Sequence, residues 1–98
     1  MNEQAKYIVD NPRILRSGDR VSYTIRDNQN GFYSKVLMPG VVYHGEIVEI
    51  DEYSTKVIST SEQGYEAWFE LWKFRRMIFE RVIEIVDCNL IPRITNFI

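Results

Sequence analysis

The stretch Arg20-Val21-Ser22-Tyr23-Thr24-Ile25-Arg26 restricts this chain more than any other, because apolar Val21, Tyr23 and Ile25 alternate strictly with polar neighbours. Successive side chains of a strand point to opposite faces, so a period of two predicts a strand with one face in a core and the other in water. Ser17-Gly18-Asp19 reads as the turn that leads into it. Asp27 to Gly31 supplies further turn chemistry, with Asn30-Gly31 tolerating positive φ. Phe32 to Met38 then returns as the second arm of a long hairpin, closed by Pro39-Gly40.

Further strands follow the same logic. Val41 to Asp51 is rich in β-branched residues, and Gly45 inside it predicts a bulge or a sharp bend. Asp51 to Ser54 is a turn, Thr55 to Thr60 has strand composition and Ser61 to Gly64 turns again, so 46–69 predicts a meander of three short strands. Residues 2–9 predict a short helix ended by Asn11-Pro12, since the residue before proline is steered away from the α region.

Tyr65 to Asp87 contains no Gly or Pro and admits two readings. Helical spacing fits Trp68, Leu71, Trp72, Phe79, Val82, Ile83 and Val86, interrupted by Arg75. Strands fit 65–71 and 79–86, split by a short helical turn at Trp72 to Arg76, and the β-branched residues of 82–86 favour this version.

Ninety-eight residues suffice for one domain. A domain this short buries only about 60–65% of its unfolded surface, so large side chains must fill the core. Two Trp, five Phe and six Tyr meet that need. A formal charge of −2 lowers the prospect of a dedicated duplex-DNA binder, which uses basic residues to neutralise phosphates. The polar start Met1-Asn2-Glu3-Gln4 does not resemble a signal peptide, and no apolar run approaches the roughly 20 residues that span a bilayer, so the expected location is the cytoplasm. Twelve Ile and frequent Asn suit an AT-rich bacterial or phage genome.

The block Gly40-Val41-Val42-Tyr43-His44-Gly45-Glu46-Ile47-Val48-Glu49-Ile50-Asp51 resembles the second strand of KOW and Tudor-like small barrels, with a glycine ahead of the apolar pair Ile47 and Ile50. Gly18-Asp19-Arg20-Val21 looks like the opening of such a domain, and Tyr65 to Phe74 like its aromatic strand and one-turn helix. The resemblance covers roughly 18–86. It implies a mainly β fold, a five-stranded SH3-like barrel with a short N-terminal helix or arm and a one-turn helix before the last strand. The alternative is α+β, a β-meander plus a C-terminal amphipathic helix over 65–86. The corresponding organisation is an N-terminal arm at 1–17, a barrel at 18–87 and a tail at 88–98.

Catalytic chemistry has few candidates. His44 is the single histidine, and Glu46 would share its strand face, but an exposed or hydrogen-bonded strand histidine is the favoured reading. Glu46, Glu49, Asp51 and Glu52 do not follow a calcium-loop pattern, and one Cys with one His cannot build a four-ligand zinc site. Cys88 reads as a buried or tolerated thiol. With no phosphate-binding glycine loop or nucleophile elbow, a non-enzymatic chain without metal or cofactor is expected.

Binding has better candidates. The excursion 27–40 carries Phe32, Tyr33, Lys35, Leu37 and Met38, and the corresponding loop of SH3-like barrels commonly shapes a partner groove. Phe32, Tyr33, Lys35 and Met38 are therefore the expected partner-binding residues of a protein-interaction module, a small regulator of phage or prophage type. The alternative is a nucleic-acid-binding barrel using Trp72, Lys73, Arg75 and Arg76, a basic stretch interleaved with aromatics. The apolar tail Leu90 to Ile98 suits docking on its own domain or homodimerisation by strand addition.

Overall fold

The alternation at 20–25 becomes strand β1 (Arg20–Ile25), with Val21, Tyr23 and Ile25 buried. The computed structural model describes residues 3–26 and 37–92. In chain order they form helix α1 (Glu3–Asp10), a 3-10 turn (Pro12–Ile14), β1, β2 (Tyr43–Glu49), β3 (Thr55–Ser61), β4 (Glu66–Glu70), helix α2 (Leu71–Phe79) and β5 (Ile83–Asn89). The strands make one antiparallel sheet in the order β4-β3-β2-β1-β5. The protein is thus mainly β, with two short helices. Among the described residues the sheet is not closed into a barrel, for β4 and β5 are its two edges. Among the described residues no helix is long and apolar enough to cross a membrane.

One face of the sheet carries the core. Val21, Tyr23, Tyr43, Ile47, Val57, Phe69, Ile83 and Ile85 point inward, and α1, the 3-10 turn and α2 contribute Ala5, Ile8, Leu15, Phe74, Met77 and Ile78 from above. The N-terminal segment is therefore part of the core: α1 packs against β5 and α2. At the centre the Tyr23 ring stacks on Tyr43, with centroids 5.7 Å apart, and meets Phe74 edge-on at 5.1 Å. Such offset and edge geometries add about 0.5–1.5 kcal/mol each beyond area burial. The Tyr23 hydroxyl donates to Ser59 Oγ at 2.8 Å, which satisfies a buried polar group from each strand. Burial raises the Tyr23 pKa above the ordinary tyrosine value, with the Ser59 bond opposing the shift and Tyr43 adding to it.

Gly45 lies beneath this pair and is neither a bulge nor a bend. Registers β1–β2 and β2–β3 run through it without a shift. A Cβ there would sit 2.7 Å from Ser59 Oγ and 3.1 Å from Val57 Cγ1, so glycine is the space in which the Tyr23–Ser59 pair fits. The bulge lies instead on β5, where Ser22 pairs with Asp87 and Tyr23 with Ile85, leaving Val86 as the extra residue. It reverses the alternation, so Asp87 stays outside and Cys88 turns into the core.

The segment 65–86 is split, as the β-branched cluster suggests, but its helix is longer than one turn. Buried Leu71, Phe74, Met77 and Ile78 follow helical spacing through Phe79, so helix occupies the start of the expected second strand. It ends in a Schellman motif: Arg81 N–H donates to Ile78 O at 3.1 Å and Val82 N–H to Met77 O at 3.0 Å. Arg81 takes φ 63, the left-handed position usually given to glycine.

Asp19, fully buried, ties the segment that leads into β1 to the segment that follows β5. Its Oδ2 accepts from Arg16 N–H and its Oδ1 from Ile91 N–H, both at 3.0 Å.

Candidate functional site

Of the four expected partner-binding residues, Phe32, Tyr33 and Lys35 lie outside the described residues. Met38 is 45% exposed, and its backbone N–H donates to the Tyr43 hydroxyl at 3.0 Å. Leu37 beside it is a core side chain. At this point Met38 faces outward and Leu37 inward.

The solvent face of the sheet mixes polar side chains with exposed Ile58, Trp68 and Val86, and Lys56 Nζ sits 4.1 Å above the Trp68 ring. In one row Ser22 and His44 lie opposite each other, flanked by Asp87 on β5 and Thr60 on β3. Ser22 Oγ and His44 Nδ1 share a hydrogen bond of 2.9 Å on the floor of an open groove of about 460 Å³. Glu46 does not serve His44 but pairs with Arg20 at 3.6 Å. A hydroxyl beside an imidazole resembles a nucleophile with its base, yet acyl transfer also needs a group orienting the ring and donors for the oxyanion. The imidazole makes no second hydrogen bond among the described residues, and Ser22 and His44 lie on interior strands whose backbone N–H groups are used by the sheet. Among the described residues no cluster of His, Cys, Asp or Glu could hold a metal ion. Cys88 is buried, and its thiol is pushed up to about 11 by burial and by the charges of Asp87 and Asp19.

Helix α2 presents a different surface. Its inner face is the core, whereas Trp72, Arg76 and Phe79 stand at positions i, i+4 and i+7 of the outer face. Trp72 is 62% and Phe79 74% exposed, the latter among the largest exposures of any apolar side chain here. Arg76 between them holds Glu80 at 2.8 Å. Of the expected basic patch, Trp72 and Arg76 share this face and Lys73 lies beside it, half-buried. Arg75 turns toward the core and donates through its guanidinium to the Leu15 carbonyl. Its Nε is buried with no hydrogen-bond partner among the described residues, and desolvation lowers its pKa.

Between α2 and the Asp10–Arg13 corner lies a second groove of about 460 Å³, lined by Asp10, Pro12, Arg13, Arg75, Arg76 and Phe79 among others. Arg13 was not an expected site residue. Nothing in its local sequence marks it, and only the packing of the 3-10 turn against α2 brings it there. Phe79 belongs to the apolar series at helical spacing, but the phase set by buried Leu71, Phe74, Met77 and Ile78 turns it outward. Comparison with protein-family models, with curated proteins and with solved structures finds no match.

Proposed function

We propose that this chain is a non-enzymatic protein-interaction module of SH3-like small-barrel type that meets its partner with the outer face of α2. The observation that carries this reading is the pair Trp72 and Phe79, largely exposed on a helix whose opposite side is fully used by the core. Two aromatics left facing water contribute little to folding, whereas aromatic and Arg side chains are favoured at the centres of protein interfaces. The barrel assignment is supported by the meander β2–β3–β4, the helix that follows it and the return of β5 to pair with β1. Met38, at the end of the 27–40 excursion, is a further contact in this reading.

Nucleic-acid binding through the same helix is the rival reading. It is weakened because Arg75 turns away from this face toward Leu15 and Arg76 is paired with Glu80. Affinity capture from a nuclease-treated extract tests the proposal. The double variant Trp72→Ala with Phe79→Ser is expected to lose the captured protein while its stability stays within about 0.5 kcal/mol of the parent, as for surface changes generally. Equal capture by parent and variant would remove the α2 face from the proposal.

A further inference from the structure

We infer that the groove between α2 and the Asp10–Arg13 corner takes a short acidic peptide segment, one carboxylate set between Arg13 and Arg75 with an apolar side chain beside it on Phe79. This rests on the reading of the chain as a protein-interaction module and names the chemistry of its partner.

The first argument is charge. Among the described residues, three guanidinium groups line the groove against the one carboxylate of Asp10, in a chain whose formal charge is −2. Glu80 balances Arg76 from outside, so the excess positive charge belongs to Arg13 and Arg75. The second argument is the state of Arg75. Its guanidinium is half-buried and bonded to a neutral carbonyl, its Nε has no acceptor among the described residues, and no carboxylate there pairs with it. A desolvated cation held by one dipole is incompletely compensated, and an anion entering beside it supplies what the fold does not. Desolvation alone draws down the Arg75 pKa, in keeping with that imbalance. The third is the wall: Phe79 offers an apolar ring where the groove opens to water.

A peptide suits these dimensions better than a nucleic acid. Nucleic-acid affinity comes from neutralising phosphates in succession along a basic track. Here Asp10 and Glu80 interrupt the cations on both sides, leaving room for one carboxylate rather than a run of phosphates.

The test is a titration of the isotopically labelled full chain followed by amide and Arg Nε–H chemical shifts. The probes are the capped hexapeptide Asp-Glu-Phe-Asp-Leu-Glu, its counterpart with Asn and Gln for each acid, and a short oligothymidylate. The acidic peptide is expected to shift Arg13, Arg76, Phe79 and the Arg75 side chain in the millimolar range. The amide counterpart is expected to shift none of them, and Arg13→Gln to weaken the acidic peptide about tenfold, the usual size for loss of a charged hydrogen bond. No shift, equal shifts with the amide counterpart, or shifts spread alike over Lys6, Arg20 and Lys56 overturn the inference. Tighter saturable binding of the oligothymidylate at the same residues overturns it in favour of nucleic acid. If the peptide fails while Trp72→Ala with Phe79→Ser still abolishes protein capture, the acidic segment falls and the interaction module stands.

Discussion

Replacing Gly45 by alanine is the most direct probe of the centre of this fold. The new methyl would stand 2.7 Å from Ser59 Oγ, 3.1 Å from Val57 Cγ1 and 3.5 Å from Tyr23 Cε1. The first two are closer than normal packing allows, and the neighbours are strand side chains enclosed on every side. Overpacking of this kind costs about 1–3 kcal/mol. If Ser59 rotates away to relieve it, the buried Tyr23 hydroxyl loses its acceptor, another ~1–3 kcal/mol. Alanine returns roughly 0.5–1 kcal/mol through the lower entropy of its unfolded chain. The net expectation is a loss of about 2 kcal/mol, or a fall in Tm of roughly 8–16 °C for a domain of this size. Urea unfolding followed by intrinsic fluorescence measures it, with an unchanged m-value showing that stability and not compactness has altered. Ser59→Ala alone should also destabilise, by about 1–2 kcal/mol, since it strands the Tyr23 hydroxyl. In the double variant the clashing oxygen is gone, so the combined loss should fall short of the sum by at least ~1 kcal/mol. A Gly45→Ala protein as stable as its parent, or strict additivity in the cycle, would refute the steric reasoning.

Further outcomes follow from two other parts of the fold. The Cys88 thiol, held at about 11 against an ordinary 9.0, should react negligibly with a disulfide reagent at pH 8 in the folded protein and rapidly once unfolded in urea. Because its folded pKa is raised, its contribution to stability is complete below pH 9 and is lost as pH rises through about 11, which pH-dependent unfolding would display. Arg81→Gly should raise stability by about 0.5–1 kcal/mol, because it relieves a left-handed φ at the cost of an exposed 3.4 Å bond to the Val9 carbonyl; a lower urea midpoint would contradict this.

The parts of this fold that were legible are those in which local pattern and burial agree. The alternation of Val21, Tyr23 and Ile25 is sufficient to place β1, and β-branched composition bounded by polar turns locates β2 and β3 within two residues. Two features resist such reading for definite reasons. The end of α2 carries no glycine, since Arg81 adopts the left-handed conformation itself, and the expected second strand accordingly began four residues early, at Phe79 rather than Ile83. Gly45 carries the residue type of a bulge, but its cause is the shape of Tyr23 and Ser59 on neighbouring strands, a contact between distant positions. The candidate site divides in the same way. Trp72 and Arg76 stand out in sequence, whereas Arg13 joins Arg76 and Phe79 only through packing, and Arg75 is drawn inward by a carbonyl at Leu15.

The pairing of β1 with both β2 and β5 has a consequence for the order in which the chain can assemble. The hairpin β2–β3 closes across the short Ile50–Ser54 turn, whereas Arg20 must find Asn89. The logarithmic growth of closure entropy makes the second event about 2 kcal/mol dearer than the first when the intervening chain is still unfolded. The meander is therefore the local nucleus, and the β1–β5 seam is the contact of high sequence separation that folding gains late. Until Ile91 arrives to donate its amide, the Asp19 carboxylate stays hydrated, so the segment that follows β5 is the one that closes this seam.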